Sequence, residues 1–144
     1  MTPYHIHQIQ LEDCLPLRRD ILWPSFDLQD CIEPGDENAI HYGYLINNQV
    51  ISCLSVFYRT PSRRQIRKFA TASKYQNQRI GSTLFKTVLQ KLKNDNVSSI
   101  YLNARSTAVR FYEKFNFTYF DTEFTKNNVT FFPMELNLIN AQIE

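Results

Sequence analysis

The sequence predicts an α+β chain folded as one domain, and three observations carry that prediction. Apolar residues switch along the chain between the two-residue period of strands and the 3.6-residue period of helices. Turn signals cut these runs into pieces of ordinary element length. Finally, 144 residues with 43% hydrophobic and 14% aromatic content suffice to bury one substantial core and exclude a disordered chain.

The elements follow in order. His5 to Ile9 reads as a first strand. Leu11 to Leu22 reads as a helix, since Leu11, Cys14, Leu15, Arg18 and Leu22 recur near helical spacing, and Pro24 stops it. Ser25 to Asn38 is irregular and acidic, with turn chemistry at Pro34-Gly35-Asp36. His41 to Ile46 and Val50 to Arg59 form a hairpin around Asn47-Asn48. Pro61-Ser62 turns the chain into a strand from Gln65 to Ala72. The helix from Arg79 to Leu92 places Ile80, Leu84, Val88 and Leu92 on one stripe, widened by Phe85 and Leu89. Asn94-Asp95-Asn96 breaks it. Ser99 to Asn103 is a strand, Thr107 to Phe115 a short helix, and Phe117 to Phe124 another strand. Asn127-Asn128 then turns into a last strand, Val129 to Leu138.

Net charge is +2, but the charges are segregated. From Asn38 to Asn94 there is no Asp or Glu, while ten bases fall in the same window: Arg59, Arg63, Arg64, Arg67, Lys68, Lys74, Arg79, Lys86, Lys91 and Lys93. A basic centre implies an anionic partner or a solvated basic face. Nucleic acid is not expected, because no aromatic platform interleaves the bases and a pI near 8.4 is mild for that role. No apolar run approaches the roughly 20 residues that span a bilayer, so no membrane is expected. Met1-Thr2-Pro3-Tyr4 lacks the start of a secretion signal. Cys14, Cys31 and Cys53 are odd in number and irregularly spaced. Reduced thiols in a cytoplasmic protein account for them most simply. His5 and His7 share a strand face without a third ligand, so no metal site is expected.

Gln76-Asn77-Gln78-Arg79-Ile80-Gly81-Ser82 lies between a strand and an amphipathic helix, holds a glycine and contains no acid. Such a turn leaves backbone N–H groups unpaired at a helix N-terminus, an arrangement that holds phosphate. Downstream, Ala108, Tyr112, Glu113, Lys114 and Phe117 form the pattern A-x-x-x-Y-E-K-x-x-F. With these two motifs, in this order and on these elements, the chain resembles the GNAT N-acetyltransferase superfamily over essentially its whole length. The resemblance implies a three-layer fold: a mixed, mostly antiparallel sheet of about six to seven strands, flanked by helices. The family's first motif is Q/R-x-x-G-x-G/A, and Arg79 stands at its first glycine. Asn116 replaces the usual glycine of the second motif, a mild exchange because asparagine tolerates left-handed backbone. Arg105 stands where the family often has asparagine. For Arg79, either the position needs φ > 0 and arginine is costly, or it is already helical and nothing is lost. The second is expected, since Gly81 and Ser82 remain at the tightest point.

The resemblance further implies acetyl-CoA as co-substrate and direct transfer to an amine in a ternary complex. Backbone N–H groups of Gln76, Asn77, Gln78, Arg79, Ile80, Gly81 and Ser82 would hold the pyrophosphate. The strand edge at Phe69, Ala70 and Thr71 would pair with the pantetheine arm and polarise the thioester carbonyl. Asn103, Arg105 and Tyr112 would complete the cofactor contacts. Tyr112 is the candidate acid for the leaving thiolate, although it also fits a core-facing aromatic stripe with Phe111 and Phe115. Candidate bases are Asp36, Glu37, Glu123 and His41, although the last fits a packed or hydrogen-bonded strand histidine better than a base. Cys53, in an apolar strand, reads as a small core residue.

The acceptor groove would be built from Leu17 to Asn38 and from Phe120 to Phe132. The first segment is acidic and the second aromatic, a lining that would suit a cationic amine such as a polyamine, an amino sugar or a lysine side chain. The alternative is that the acids simply face solvent. Trp23 either walls the groove or staples the core. Phe131-Phe132-Pro133-Met134 in the last strand suggests pairing across a homodimer. Two further readings stay open, a CoA-binding module without catalysis and an anion- or nucleic-acid-binding domain.

Overall fold

A computed structural model describes residues 2–143. Its elements, in chain order, begin with β1 (His5–Ile9), α1 (Leu11–Leu17), β2 (Ile40–Ile46), β3 (Gln49–Thr60) and β4 (Arg63–Thr71). Then come α2 (Ile80–Asn94), β5 (Ser99–Arg105), α3 (Val109–Glu113), β6 (Thr118–Tyr119), β7 (Phe124–Lys126) and β8 (Val129–Asn137). The strands form one sheet in the order β1-β2-β3-β4-β5-β8-β6, with β7 also paired to β8. All pairings are antiparallel except β4 with β5. The mixed, mostly antiparallel sheet between helical layers is thus the fold expected.

Two apolar clusters fix the layers. On one face, α2 lays Ile80, Leu84, Phe85, Val88, Leu89 and Leu92 onto Leu54, Ile66, Ile100, Leu102 and Ala104. Full burial of side chains of this size contributes roughly 1.5–3 kcal/mol each, so this stripe holds α2 in place. On the other face, Cys14 and Leu17 of α1 pack on Ile9, Leu45, Cys53 and Ala70. Cys53 is therefore a core residue, as read from the sequence.

Several elements depart from the expected bounds for local reasons. The first helix is α-helical only to Leu17 and continues as a π turn over Arg18–Leu22. Pro16 lies inside it and lacks the N–H that would continue the ladder. The expected strand from Phe117 to Phe124 is interrupted, leaving the two-residue β6 and the separate β7. Its ladder ends where the Phe120 N–H donates to the Pro133 carbonyl at 3.2 Å, since Pro133 has no N–H to return the bond. Strand β8 pairs with β5 on one edge and with β6 and β7 on the other. On the second edge Phe131, Pro133 and Met134 already have partners, so Phe131–Met134 offers no continuous free edge for the expected pairing across a homodimer.

The charge segregation has a tertiary meaning. Arg63 pairs with Glu135, Arg67 and Lys68 with Glu33, and Lys91 with Asp95. Acids from the flanking thirds thus answer bases of the acid-free window.

Candidate active site

Strands β4 and β5 are paired only over Arg63–Gln65 and Ser99–Tyr101, and beyond these residues they diverge. A bulge in β4 accompanies the opening: Lys68 and Phe69 together oppose Leu54, and Lys68 sits at φ +58°. A bulge bends its strand and ends regular pairing. A cavity of about 740 Å³ opens here, lined by Phe69 and Lys68 of β4, Asn103 and Arg105 of β5, Tyr112 of α3 and Trp23 after the π turn. Its volume suits a small ligand.

The phosphate-type turn adjoins this cavity. Among the described residues, the backbone N–H groups of residues 77–82 meet no acceptor, and the first helical bond runs from the Thr83 N–H to the Arg79 carbonyl at 3.0 Å. The side chain of Gln76 donates to the Thr71 carbonyl (2.9 Å) and that of Gln78 to the Lys74 carbonyl (3.0 Å), folding the turn back on itself. A Cβ on Gly81 would lie 3.1 Å from Thr71 Oγ1 and 3.4 Å from Phe69 Cζ, so a side chain here would press on Thr71 and glycine eases the close start of α2 against β4. Arg79 lies at φ +65°, ψ +11°, in the left-handed region. The expectation of helical backbone at Arg79 is therefore wrong: the position is a glycine-favouring one that arginine occupies. Asn116, at φ +69°, adopts the left-handed backbone expected of it.

The other cofactor candidates divide by face. Phe69 stacks on Phe85, with centroids 5.5 Å apart, at the cavity wall. Ala70 is buried, and its carbonyl accepts a bond from Ser52 Oγ at 3.1 Å. Thr71 Oγ1 lies 2.8 Å from the same hydroxyl. Along β5, Ile100, Leu102 and Ala104 are buried toward α2. Arg105 lies on the opposite face, where its guanidinium covers the Trp23 ring at 4.7 Å.

Tyr112 is 8% exposed and wedged edge-on between Phe85 (5.4 Å) and Phe111 (5.2 Å). Burial pushes its phenol above the ordinary value, so it holds its proton at neutral pH. It is at once a core aromatic and a residue of the cavity wall.

The candidate bases fare differently. His41 is buried and absent from the cavity wall. Its Nε2–H donates to the Asp36 carbonyl (3.0 Å), and its Nδ1 lies 2.6 Å from Ser55 Oγ. Asp36 is also buried, bound by both terminal nitrogens of Arg18 at 2.7 and 2.8 Å. Arg18 is fully buried and donates further to the Cys31 carbonyl and Ser55 Oγ. Glu37 and Glu123 are exposed and outside the cavity lining. The carboxylates that do line it are Asp30 and Glu33. Sequence spacing offered no signal for singling these two out from the other acids of their segment.

The lining also corrects the expected acidic groove. Asp36 is locked under Arg18, and Glu33 is held by Arg67 (2.7 Å) and Lys68 (3.2 Å). Four bases (Arg67, Lys68, Arg105 and Lys126) meet two acids, Asp30 and Glu33. The aromatic expectation holds, with Trp23, Phe26, Phe124 and Phe131 in the wall. Among the described residues, no group of three metal-type ligands converges and no helix is long and apolar enough to cross a membrane.

Opened parallel strands, a turn of unpaired N–H groups and Tyr112 in the lining are the arrangement that the resemblance implied. Residues 28–138 match the family described as Acetyltransferase (GNAT) domain, and the chain belongs to that family of N-acetyltransferases. It is 29% identical over 117 residues to YitI, an N-acetyltransferase of Bacillus subtilis (strain 168) itself described as uncharacterised, covering 76% of this chain and 78% of that one. The fold is shared with a GNAT family acetyltransferase from Elizabethkingia anophelis with acetyl-CoA bound (TM-score 0.71, 22% identity, 93% and 97% of the two chains). It is shared as well with the ribosomal-protein-S18-alanine N-acetyltransferase of Escherichia coli (TM-score 0.78, 13% identity, 94% of each chain).

Proposed function

We infer that the chain transfers an acetyl group from acetyl-CoA directly to a primary amine. The observation that carries this reading is Tyr112 standing in the opening between β4 and β5, beside a turn of unpaired N–H groups. When bound, acetyl-CoA supplies its acetyl group as a thioester open to attack by an amine. The N–H groups of residues 77–82, at the positive end of the α2 dipole, suit the pyrophosphate. The β4 edge at Phe69 to Thr71 suits the pantetheine arm, and a backbone N–H there would polarise the thioester carbonyl. Tyr112 holds a proton at Oη for the departing sulfur and is reprotonated from solvent.

The amine's own proton leaves through water at the cavity mouth, past Asp30, a lining carboxylate with no ion pair among the described residues. All three cysteines are free, which fits a reducing compartment and action in the cytoplasm. Calorimetric titration with acetyl-CoA, followed by an amine panel read by thiol release, tests the assignment, with Tyr112→Phe as control. Saturable binding with turnover that Tyr112→Phe abolishes would support it. Absence of acetyl-CoA binding would refute it, and binding without turnover on any amine would favour a binding module.

A further inference from the structure

Arg105 is an unanswered cation in the wall of the cavity. Nη2 donates to the Leu22 carbonyl at 2.8 Å. Among the described residues no carboxylate pairs with it and no other acceptor meets its remaining donors. The guanidinium lies over Trp23 at 4.7 Å and near Phe131 at 5.9 Å, so the group is oriented and partly stripped of water. Burial lowers its proton affinity. Arg105 is only partly buried, so its remaining donors face the cavity, where an anionic group could take them.

The remaining charges point the same way. Arg67 and Lys68 share Glu33, whereas Arg105 and Lys126 line the cavity without an ion pair, against the single unpaired carboxylate Asp30, so the lining stays net positive. Arg105 lies on the sheet face opposite α2, with Trp23 and Phe131, away from the turn that begins α2. Its free donors are therefore placed for the acceptor, and not for the cofactor contact that the resemblance implied for this residue. A guanidinium fork matches a carboxylate in shape as well as charge.

Resting on the acetyltransferase reading, we propose that Arg105 anchors a carboxylate of the acceptor, so that the preferred substrates are amines that also bear a carboxylate. The anchor holds the acceptor's acidic end at Trp23 and leaves its amine in the cavity that Tyr112 lines. Polycationic amines are disfavoured by the same group.

Trp23 is the only tryptophan of the chain, so its fluorescence reports directly on Arg105. The full chain is titrated at fixed ionic strength with N-acetylglycine and N-acetylphenylalanine, and with their primary amides, which lack only the carboxylate charge. The acids are expected to change Trp23 emission saturably, with the amides at least about tenfold weaker, as loss of a charge-assisted pair implies. Arg105→Gln should abolish the preference and Arg105→Lys restore part of it, with thermal melts confirming that both variants fold. Equal responses to acids and amides, or no saturable response to either acid, would overturn the proposal. Acetyl-CoA is titrated in parallel. Affinity unchanged within about twofold in Arg105→Gln is expected, and a loss as large as that for the acids would assign Arg105 to the cofactor and overturn it too. Wild-type protein that fails to bind acetyl-CoA refutes the transferase reading. Wild-type protein that binds acetyl-CoA without preferring acids refutes only the carboxylate anchor.

Discussion

Replacing Arg79 by glycine should move stability and cofactor affinity in opposite directions. Arg79 is the N-cap of α2 at φ +65°, ψ +11°, where a side chain costs about 1–2 kcal/mol relative to glycine. Glycine gives back about 0.5–1 kcal/mol through its freer unfolded chain. The net is a stabilisation of about 0.5–1 kcal/mol, or a rise in Tm of about 2–4 °C for a domain of this size. The guanidinium is exposed and makes no hydrogen bond or ion pair among the described residues, so nothing else in the fold is lost. Its removal takes a cation from beside the unpaired N–H groups of residues 77–82. A charge-assisted bond to phosphate at an exposed position is worth about 1 kcal/mol after discounting for solvent, or about fivefold in affinity. Calorimetric unfolding and acetyl-CoA titration on one preparation read both effects. A fall in Tm would refute the backbone argument. Unchanged or tighter binding would refute the placement of Arg79 at the phosphates.

The other expectations follow from the same geometry. Tyr112→Phe keeps the packing against Phe85 and Phe111 but removes the proton donor, so kcat should fall by about 100-fold or more with acetyl-CoA Kd nearly constant; steady-state kinetics beside calorimetry check it. Gly81→Val would drive side-chain atoms against Thr71 Oγ1, already 3.1 Å from an ideal Cβ, and should weaken acetyl-CoA by about tenfold or more through displacement of the turn. Asp36→Ala strands the fully buried Arg18 charge and should cost about 3–5 kcal/mol, read by chemical denaturation. Burial alone would raise the Asp36 carboxyl, but the Arg18 fork and the Glu33 N–H outweigh it and hold it below its usual value. The stability it contributes is therefore complete above the unfolded carboxyl value near ~3.9 and is lost as pH falls through the lower folded value. Tm profiles below about pH 5 should be flatter for Asp36→Asn than for the natural chain.

Local chemistry was enough to place most of the fold. The helix stripe of Ile80, Leu84, Val88 and Leu92 and the Asn-Asn turns at Asn47-Asn48 and Asn127-Asn128 fall where the sequence puts them, the turn residues all at positive φ. Asn116 was legible for the same reason, because asparagine signals left-handed backbone through its own side chain. Arg79 and Lys68 carry no such signal. Each adopts positive φ because flanking structure imposes it, Arg79 through the close approach of Gly81 to β4 and Lys68 through the bulge opposite Leu54. The break between β6 and β7 was hidden in a different way. It depends on which neighbour the Pro133 nitrogen faces, and that is fixed only when β8 is placed between β5 and β6.

The acidic first third shows how composition misleads about a site. Its charges look like a lining for a cationic acceptor, yet two of them, Asp36 and Glu33, are ion-paired and hold the wall in place instead. Asp36 fastens the segment before β2 to the π turn through Arg18, and Glu33 fastens it to β4 through Arg67 and Lys68. Lys68 is itself the bulge residue at the opening of the sheet. Glu33 thus ties this wall of the cavity to the bulge at the opening of the sheet, and it offsets part of the positive charge there. The charges left unpaired in the cavity lining are Asp30, Lys126 and Arg105, a net positive remainder, with Arg105 delivered by β5 from the far side of the opening. The sign of the site follows from which charges the fold has already paired, and that is why the proposed acceptor carries an anionic group.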